Sequence, residues 1–162
     1  MVVDEGNTTS ISYHHFATLA KPFTLLALTG GAIGQGTPCA TGAAIACPDR
    51  KVISFQADGS ALYTVQALWT QAKEKLDVLT LICSNQSYDV LRFEASKLGT
   101  RELGPAVTKL TDLSRVDWVK LGEGLGVPSV AVATAEELSS ELSKALAEKG
   151  PRLIEMTLVR PS

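Results

Sequence analysis

The sequence predicts a three-layer α/β domain built on a mainly parallel sheet. Three observations predict it. Residues 51–57 and 77–83 are short apolar runs of strand length, bounded by polar or turn residues. Between them Leu62, Val65, Leu68, Trp69 and Ala72 recur at three- and four-residue spacing, the period of a helix. No hairpin signal separates the runs, so the two strands are parallel and joined by a crossover. Parallel neighbours end on the same edge of a sheet. Asp58 and Asn85, which follow the two runs, therefore face one crevice, where open α/β sheets bind ligands.

The chain in order fits this plan. Val2-Val3 is a first short strand, and residues 4–10 form a polar turn rich in helix-capping types. His14 and His15 follow on a first helix; adjacent helical positions do not share a face, so they do not ligate one metal together, and a surface or packing role is the default. Residues 23–28 are a second apolar segment running into the glycine-rich turn 30–38. That turn invites a dinucleotide fingerprint, but its spacing is wrong and no acidic residue falls in register. The helix from Pro38 to about Ala46 is made of Ala, Gly, Cys and Ile, which predicts close packing on more than one side. Residues 98–115 show no clean period and read as a long loop. Asp117 caps a short helix carrying Trp118, Leu121 and Leu125; residues 127–132 are a strand. Thr134 and Glu137 form a capping box opening a helix with Leu138, Leu142, Ala145 and Leu146 inward, stopped by Gly150-Pro151. Residues 152–159 are the last strand.

Composition narrows the function classes. A length of 162 residues predicts a single domain, 1–162, with a core of ordinary size. Apolar residues at 45% and charged residues at 20% are globular values. A net charge of −2 gives no electrostatic case for nucleic acid or an anionic membrane. No apolar run approaches the roughly 20 residues that span a bilayer. The first residues lack the basic segment of a signal peptide. Cys39, Cys47 and Cys83 are odd in number and without paired spacing, which argues against disulfides or zinc and for buried, reduced thiols in a cytoplasmic protein.

The crevice residues offer specific chemistry. Asp58 supplies a carboxylate and Asn85 an amide oxygen, both hard ligands for Mg²⁺ or Ca²⁺. Gly59 lets a backbone approach a ligand, and Ser60 begins the next helix, whose free N–H groups favour an anion. Metal plus anion points to a phosphorylated cofactor held through a divalent ion. Taken singly, Asp58-Gly59 and Asn85 are also ordinary turn residues.

Ala57-Asp58-Gly59-Ser60, followed after a spacer by Ser84-Asn85-Gln86-Ser87-Tyr88, resembles the thiamine-diphosphate motif, which usually reads Gly-Asp-Gly-Ser and then Asn-Asn. Ala57 and Ser84 depart from it; Asp58 and Asn85 keep its metal-ligating positions. The resemblance extends over 30–34, 67–70 and 149–155, and is to the C-terminal, diphosphate-binding domain of the benzoylformate decarboxylase and acetolactate synthase family. It implies thiamine diphosphate and Mg²⁺ as cofactors. It implies metal ligation by Asp58, Asn85 and the Ser87 carbonyl, with Asn7 and Thr8 on the phosphates; helix capping is the alternative role of these two. It implies that the Gly31 carbonyl and Ile33 N–H hold the aminopyrimidine while the Ile33 side chain props the cofactor. Gly59, Ser60, Tyr88 and Asp89 complete the cofactor contacts. Val90, Leu91 and Glu94 would lie nearest a small 2-oxo acid substrate, and the acidic Glu94 argues against a benzoyl group.

The functional expectation is thus a thiamine-diphosphate- and Mg²⁺-binding domain of a 2-oxo acid decarboxylase or carboligase, oligomeric, with no catalytic residue of its own. The family's activating glutamate belongs to a separate pyrimidine-binding domain or subunit, and no acidic residue here matches it. The alternatives are a nucleotide- or flavin-binding domain using the 30–36 turn for phosphate, and a non-catalytic relative that has lost the cofactor.

Overall fold

The computed structural model describes residues 1–7, 10–98 and 104–159. Six strands form one sheet: β1 (Val2–Glu5), β2 (Leu25–Ala27), β3 (Val52–Ala57), β4 (Val78–Ser84), β5 (Ser129–Val132) and β6 (Arg152–Thr157). All pairings are parallel, in the order β2-β1-β3-β4-β6-β5. Ala57 lies level with Cys83, so β3 and β4 end together. The winding direction reverses between β1 and β3, which places the ligand crevice of such a sheet at their carboxyl ends.

Eight α-helices are described: α1 (Ser10–Ala17), α2 (Gly36–Ala46), α3 (Asp58–Ala61), α4 (Ala67–Lys73), α5 (Asp89–Lys97), α6 (Pro105–Leu110), α7 (Trp118–Gly124) and α8 (Ala135–Ala147). Alternation along the strands sorts the core into two sides. On one side Val3, Val52 and Val78 meet Ala40 and Ala44 of α2, and Ile82 and Leu153 meet Leu68 of α4 and Trp118 of α7. On the other, Leu79, Leu81, Val132 and Ile154 meet Ala145 of α8, and Phe55 stacks near Tyr13 of α1. The result is the helix–sheet–helix sandwich that the sequence predicts.

Several local expectations are corrected. Asp4 and Glu5 are not turn residues but the buried end of β1. The single predicted crossover helix is three pieces: α3, a 3₁₀ turn at Leu62–Thr64, and α4; Trp69 on it is exposed, not core. In α2 only Gly36, Thr37, Ala40, Thr41 and Ala44 are buried, so this helix packs on one face in this chain. The predicted long loop holds α6. Leu146 of α8 is exposed, whereas its capping box is present, Thr134 and Glu137 exchanging bonds with each other's backbone. Of the cysteines only Cys83 is fully buried, and none of the three is in a disulfide. No helix among the described residues is long and apolar enough to cross a membrane.

Candidate functional site

The carboxyl ends of β1, β3 and β4 open into a cavity of about 480 Å³. Asn7, Ile33, Asp58, Gly59, Ser60, Asn85, Ser87, Tyr88, Asp89, Val90 and Leu91 all line it, so the fold gathers these predicted residues in one place. Gly31 and Glu94 do not line it, and Thr8 lies outside the described residues. Glu94 faces solvent and pairs with Lys97 at 2.7 Å. Phe93, one residue earlier, lines the cavity instead, beside Leu110 and Tyr63. Phe93 stands three residues after Val90, a helical neighbour spacing, which is the signal that could have found it. His14 also lies elsewhere: its Nε2 sits 3.0 Å from Asp4.

Asp58 is 2% exposed where β3 passes directly into α3. Its Oδ1 accepts the N–H of Gly59 at 2.8 Å and its Oδ2 that of Gln86 at 2.7 Å. Gln86 stands in the left-handed region, φ +58°, in the turn that brings its N–H to this carboxylate. Burial pushes the Asp58 carboxyl above its ordinary value; the two N–H bonds oppose the shift and the charge of Asp89 adds to it.

The loop after β4 folds on itself. Asn85 Oδ1 accepts the N–H of Ser87 at 3.0 Å, and Asn85 Nδ2 donates to Asp89 at 2.8 Å. The other Asp89 oxygen is buried without a hydrogen bond. The Thr111 carbonyl accepts from Tyr88 N–H at 2.9 Å and from the Ser87 hydroxyl at 3.3 Å, fixing the loop from behind. Ser60 directs its hydroxyl to the carbonyls of Ala57 and Glu5, joining the ends of β3 and β1.

Gly59 has a different reason from the one its sequence suggests. A Cβ there would stand 2.3 Å from Cε1 of Tyr88, so the missing side chain admits the tyrosine ring rather than a ligand. The Tyr88 hydroxyl donates to the Gly59 carbonyl at 3.2 Å. In the 30–36 turn Gly30, Gly31 and Gly34 have positive φ, and the Ile33 N–H donates to the Gly31 carbonyl at 3.0 Å. The N–H groups of Gly34 and Gly36 point at the carboxylate of Glu5. A phosphate on this turn would meet that carboxylate and find those donors taken, which counts against the nucleotide-binding alternative. Glu5 is a residue sequence reasoning missed, because an acidic residue before Gly6 reads as turn.

The donor set suits a metal-bridged anion. Among the described residues the cavity is lined by two carboxylates, Asp58 and Asp89, and by no lysine, arginine or histidine. One buried and one half-buried carboxylate without a cationic partner, beside an amide oxygen and an unpaired carboxylate oxygen, fit a hard divalent cation. No three His, Cys, Asp or Glu side chains group as a metal site among the described residues, so a cation here draws on amide and carbonyl oxygens as well.

Comparison with known proteins agrees with this geometry. The family described as thiamine pyrophosphate enzyme, C-terminal TPP binding domain, matches residues 4–156. The chain is 47% identical over 98% of its length to a Mycobacterium tuberculosis protein named "Putative acetolactate synthase large subunit IlvX", covering 31% of that protein. It is 33% identical over 95% of its length to benzoylformate decarboxylase of Pseudomonas aeruginosa, covering 28%. The structure of benzoylformate decarboxylase from Polynucleobacter necessarius superposes with a TM-score of 0.86 at 26% identity, over 98% of this chain and 30% of that one. The chain thus spans about a third of the length of these relatives. With its parallel sheet, its crevice at the strand ends and this match over residues 4–156, the chain belongs to the thiamine pyrophosphate enzymes, as their C-terminal TPP-binding domain.

Proposed function

We propose that the whole chain, 1–162, is one diphosphate-side domain of a 2-oxo acid decarboxylase or carboligase, and that it holds thiamine diphosphate through Mg²⁺. The observation that carries this reading is the charge of the cavity: Asp58 and Asp89 face it, and no basic side chain among the described residues does. A diphosphate entering such a site is repelled unless a divalent cation stands between the two sets of oxygens. The Asp58 carboxylate, Asn85 Oδ1 and the Ser87 carbonyl would hold that cation. Asn7 and Thr8 would donate to phosphate oxygens. The Ile33 side chain would support the ring end, and the Gly31 carbonyl and Ile33 N–H would exchange their mutual bond for the aminopyrimidine. Bound thiamine diphosphate supplies an electron sink for the charge left when a 2-oxo acid loses its carboxylate.

This chain's own residues bind and orient. The Asp58 bonds to Gly59 and Gln86 lock the two strand ends, and the Tyr88 hydroxyl fixes its ring over Gly59. Val90, Leu91, Phe93 and Leu110 make an apolar end to the cavity. With Glu94 turned outward, that end favours a 2-oxo acid with an apolar side chain, in keeping with the benzoylformate decarboxylases among the relatives. Asp58 and Asp89 are committed to the metal side, so the activating acid comes from a pyrimidine-binding domain or subunit in an oligomeric, cytoplasmic enzyme. Calorimetry tests the reading: thiamine diphosphate binds with Mg²⁺ and not with a chelator, and neither NAD nor FMN binds. Metal-independent binding, or binding of NAD or FMN alone, would reject it.

A further inference from the structure

We infer that Glu5 is a positioning residue for the ring end of the cofactor, an inference that rests on the diphosphate reading above. Glu5 ends β1 and is 1% exposed. Its Oε1 accepts the N–H of Gly34 and its Oε2 that of Gly36. Among the described ion pairs no basic side chain joins it, so these two donors are what stabilise the buried carboxylate.

The pair of bonds pins one end of the 30–36 turn from beneath. The turn is tight on its other sides. A Cβ on Gly34 would stand 2.7 Å from Cβ of Tyr63, and one on Gly36 2.4 Å from Glu5 Oε2 and 2.3 Å from Gln56 Nε2. The Thr64 hydroxyl donates to the Gly34 carbonyl at 2.7 Å. Ile33 is the residue before Gly34, and its side chain lines the cavity. The turn has three positive-φ glycines and exposed neighbours, so its position is not set by packing of Gly30 or Gly31. Glu5 sets it, and through it the distance between Ile33 and the Asp58 loop.

The consequence is a split between the two ends of the ligand. The Glu5 carboxylate acts on the ring end; the diphosphate end depends on Asp58, Asn85, Ser87 and Asn7, which meets Glu5 only through its backbone carbonyl, unchanged by a side-chain substitution. Glu5→Gln keeps the volume but turns an amide NH₂ towards one of the glycine N–H groups. Calorimetry with saturating Mg²⁺ on the full chain measures two probes, thiamine diphosphate and inorganic pyrophosphate. The variant is expected to bind thiamine diphosphate about tenfold more weakly and pyrophosphate as wild type does. In the ligand-free variant the Gly34 and Gly36 amides exchange faster by NMR while those of α8 do not. Equal weakening of both probes, or of neither, overturns the inference while leaving the diphosphate reading intact. A wild-type chain that binds neither probe overturns the diphosphate reading and this inference with it. Should Glu5→Gln not fold, Glu5→Asp keeps the charge but reaches one amide, and the same split between probes decides.

Discussion

Asp58 Oδ2 accepts the backbone N–H of Gln86 at 2.7 Å, and this one bond ties the end of β3 to the loop after β4. The residue proposed to ligate the metal is therefore also the residue that shapes the rest of the ligand set. Replacing it removes a charge and unlocks a loop together.

Asp58→Ala is expected to abolish Mg²⁺-dependent binding of thiamine diphosphate, because Asp58 supplies the carboxylate of the proposed ligand set. It also leaves the N–H groups of Gly59 and Gln86 without their acceptor, which costs about 1–3 kcal/mol of stability. Calorimetry and thermal melts read the two effects separately. Wild-type affinity in the variant would remove Asp58 from the metal site.

The pH dependence follows from the same carboxyl, whose folded value lies above the ordinary 3.8 because of burial. Between 3.8 and that raised value the folded chain binds more protons than the unfolded one, so without metal its stability falls as pH rises through the window. A bound cation favours the ionised form and reverses the sign. The stabilisation given by Mg²⁺ and thiamine diphosphate together is thus expected to be full at neutral pH and to be lost progressively as pH falls through the raised folded value of Asp58. Thermal melts with and without the pair, stepped down in pH, check this. A flat difference would exclude Asp58 as the titrating ligand.

Gly59→Ala is expected to displace Tyr88, since the new Cβ meets ring atoms at 2.3 and 2.6 Å. Overpacking of this kind costs about 1–3 kcal/mol. The Tyr88 hydroxyl loses its bond to the Gly59 carbonyl as the ring moves. A fall in melting temperature with altered tyrosine fluorescence is the outcome to look for. Adding Tyr88→Ala should recover part of the loss, and no recovery would place the strain elsewhere.

The chain alone is expected to show no turnover of pyruvate or benzoylformate, even with cofactor and Mg²⁺ supplied. General acid–base help is worth about 10²–10⁴-fold, and the acidic side chains at this cavity, Asp58 and Asp89, are those proposed to serve the metal side. An uncovered ring end also lacks the dry, preorganised surroundings that stabilise developing charge. A matching pyrimidine-binding domain added in trans should restore activity. Robust turnover by the chain alone would show that the acid is in this chain after all.

The sequence by itself determined the layered sheet and the pairing of Asp58 with Asn85. Period-2 and period-3.6 patterns state which faces are apolar, and a parallel crossover then forces the two strand ends together. It determined the α8 capping box and the Asp117 cap for the same reason: their partners lie within four residues. What tertiary structure decided involves partners far apart in the chain. Glu5 and Gly36, and Gly59 and Tyr88, meet only because separate strands end on one edge, and Tyr88 meets Thr111 only because the chain after β4 folds back through α6. Nothing local marks Glu5 as buried, since its burial depends on glycine donors roughly thirty residues away. Helix phase likewise decided between Phe93 and Glu94. One residue is a turn of 100° or so, and that rotation puts an aromatic ring in the cavity and the carboxylate in water.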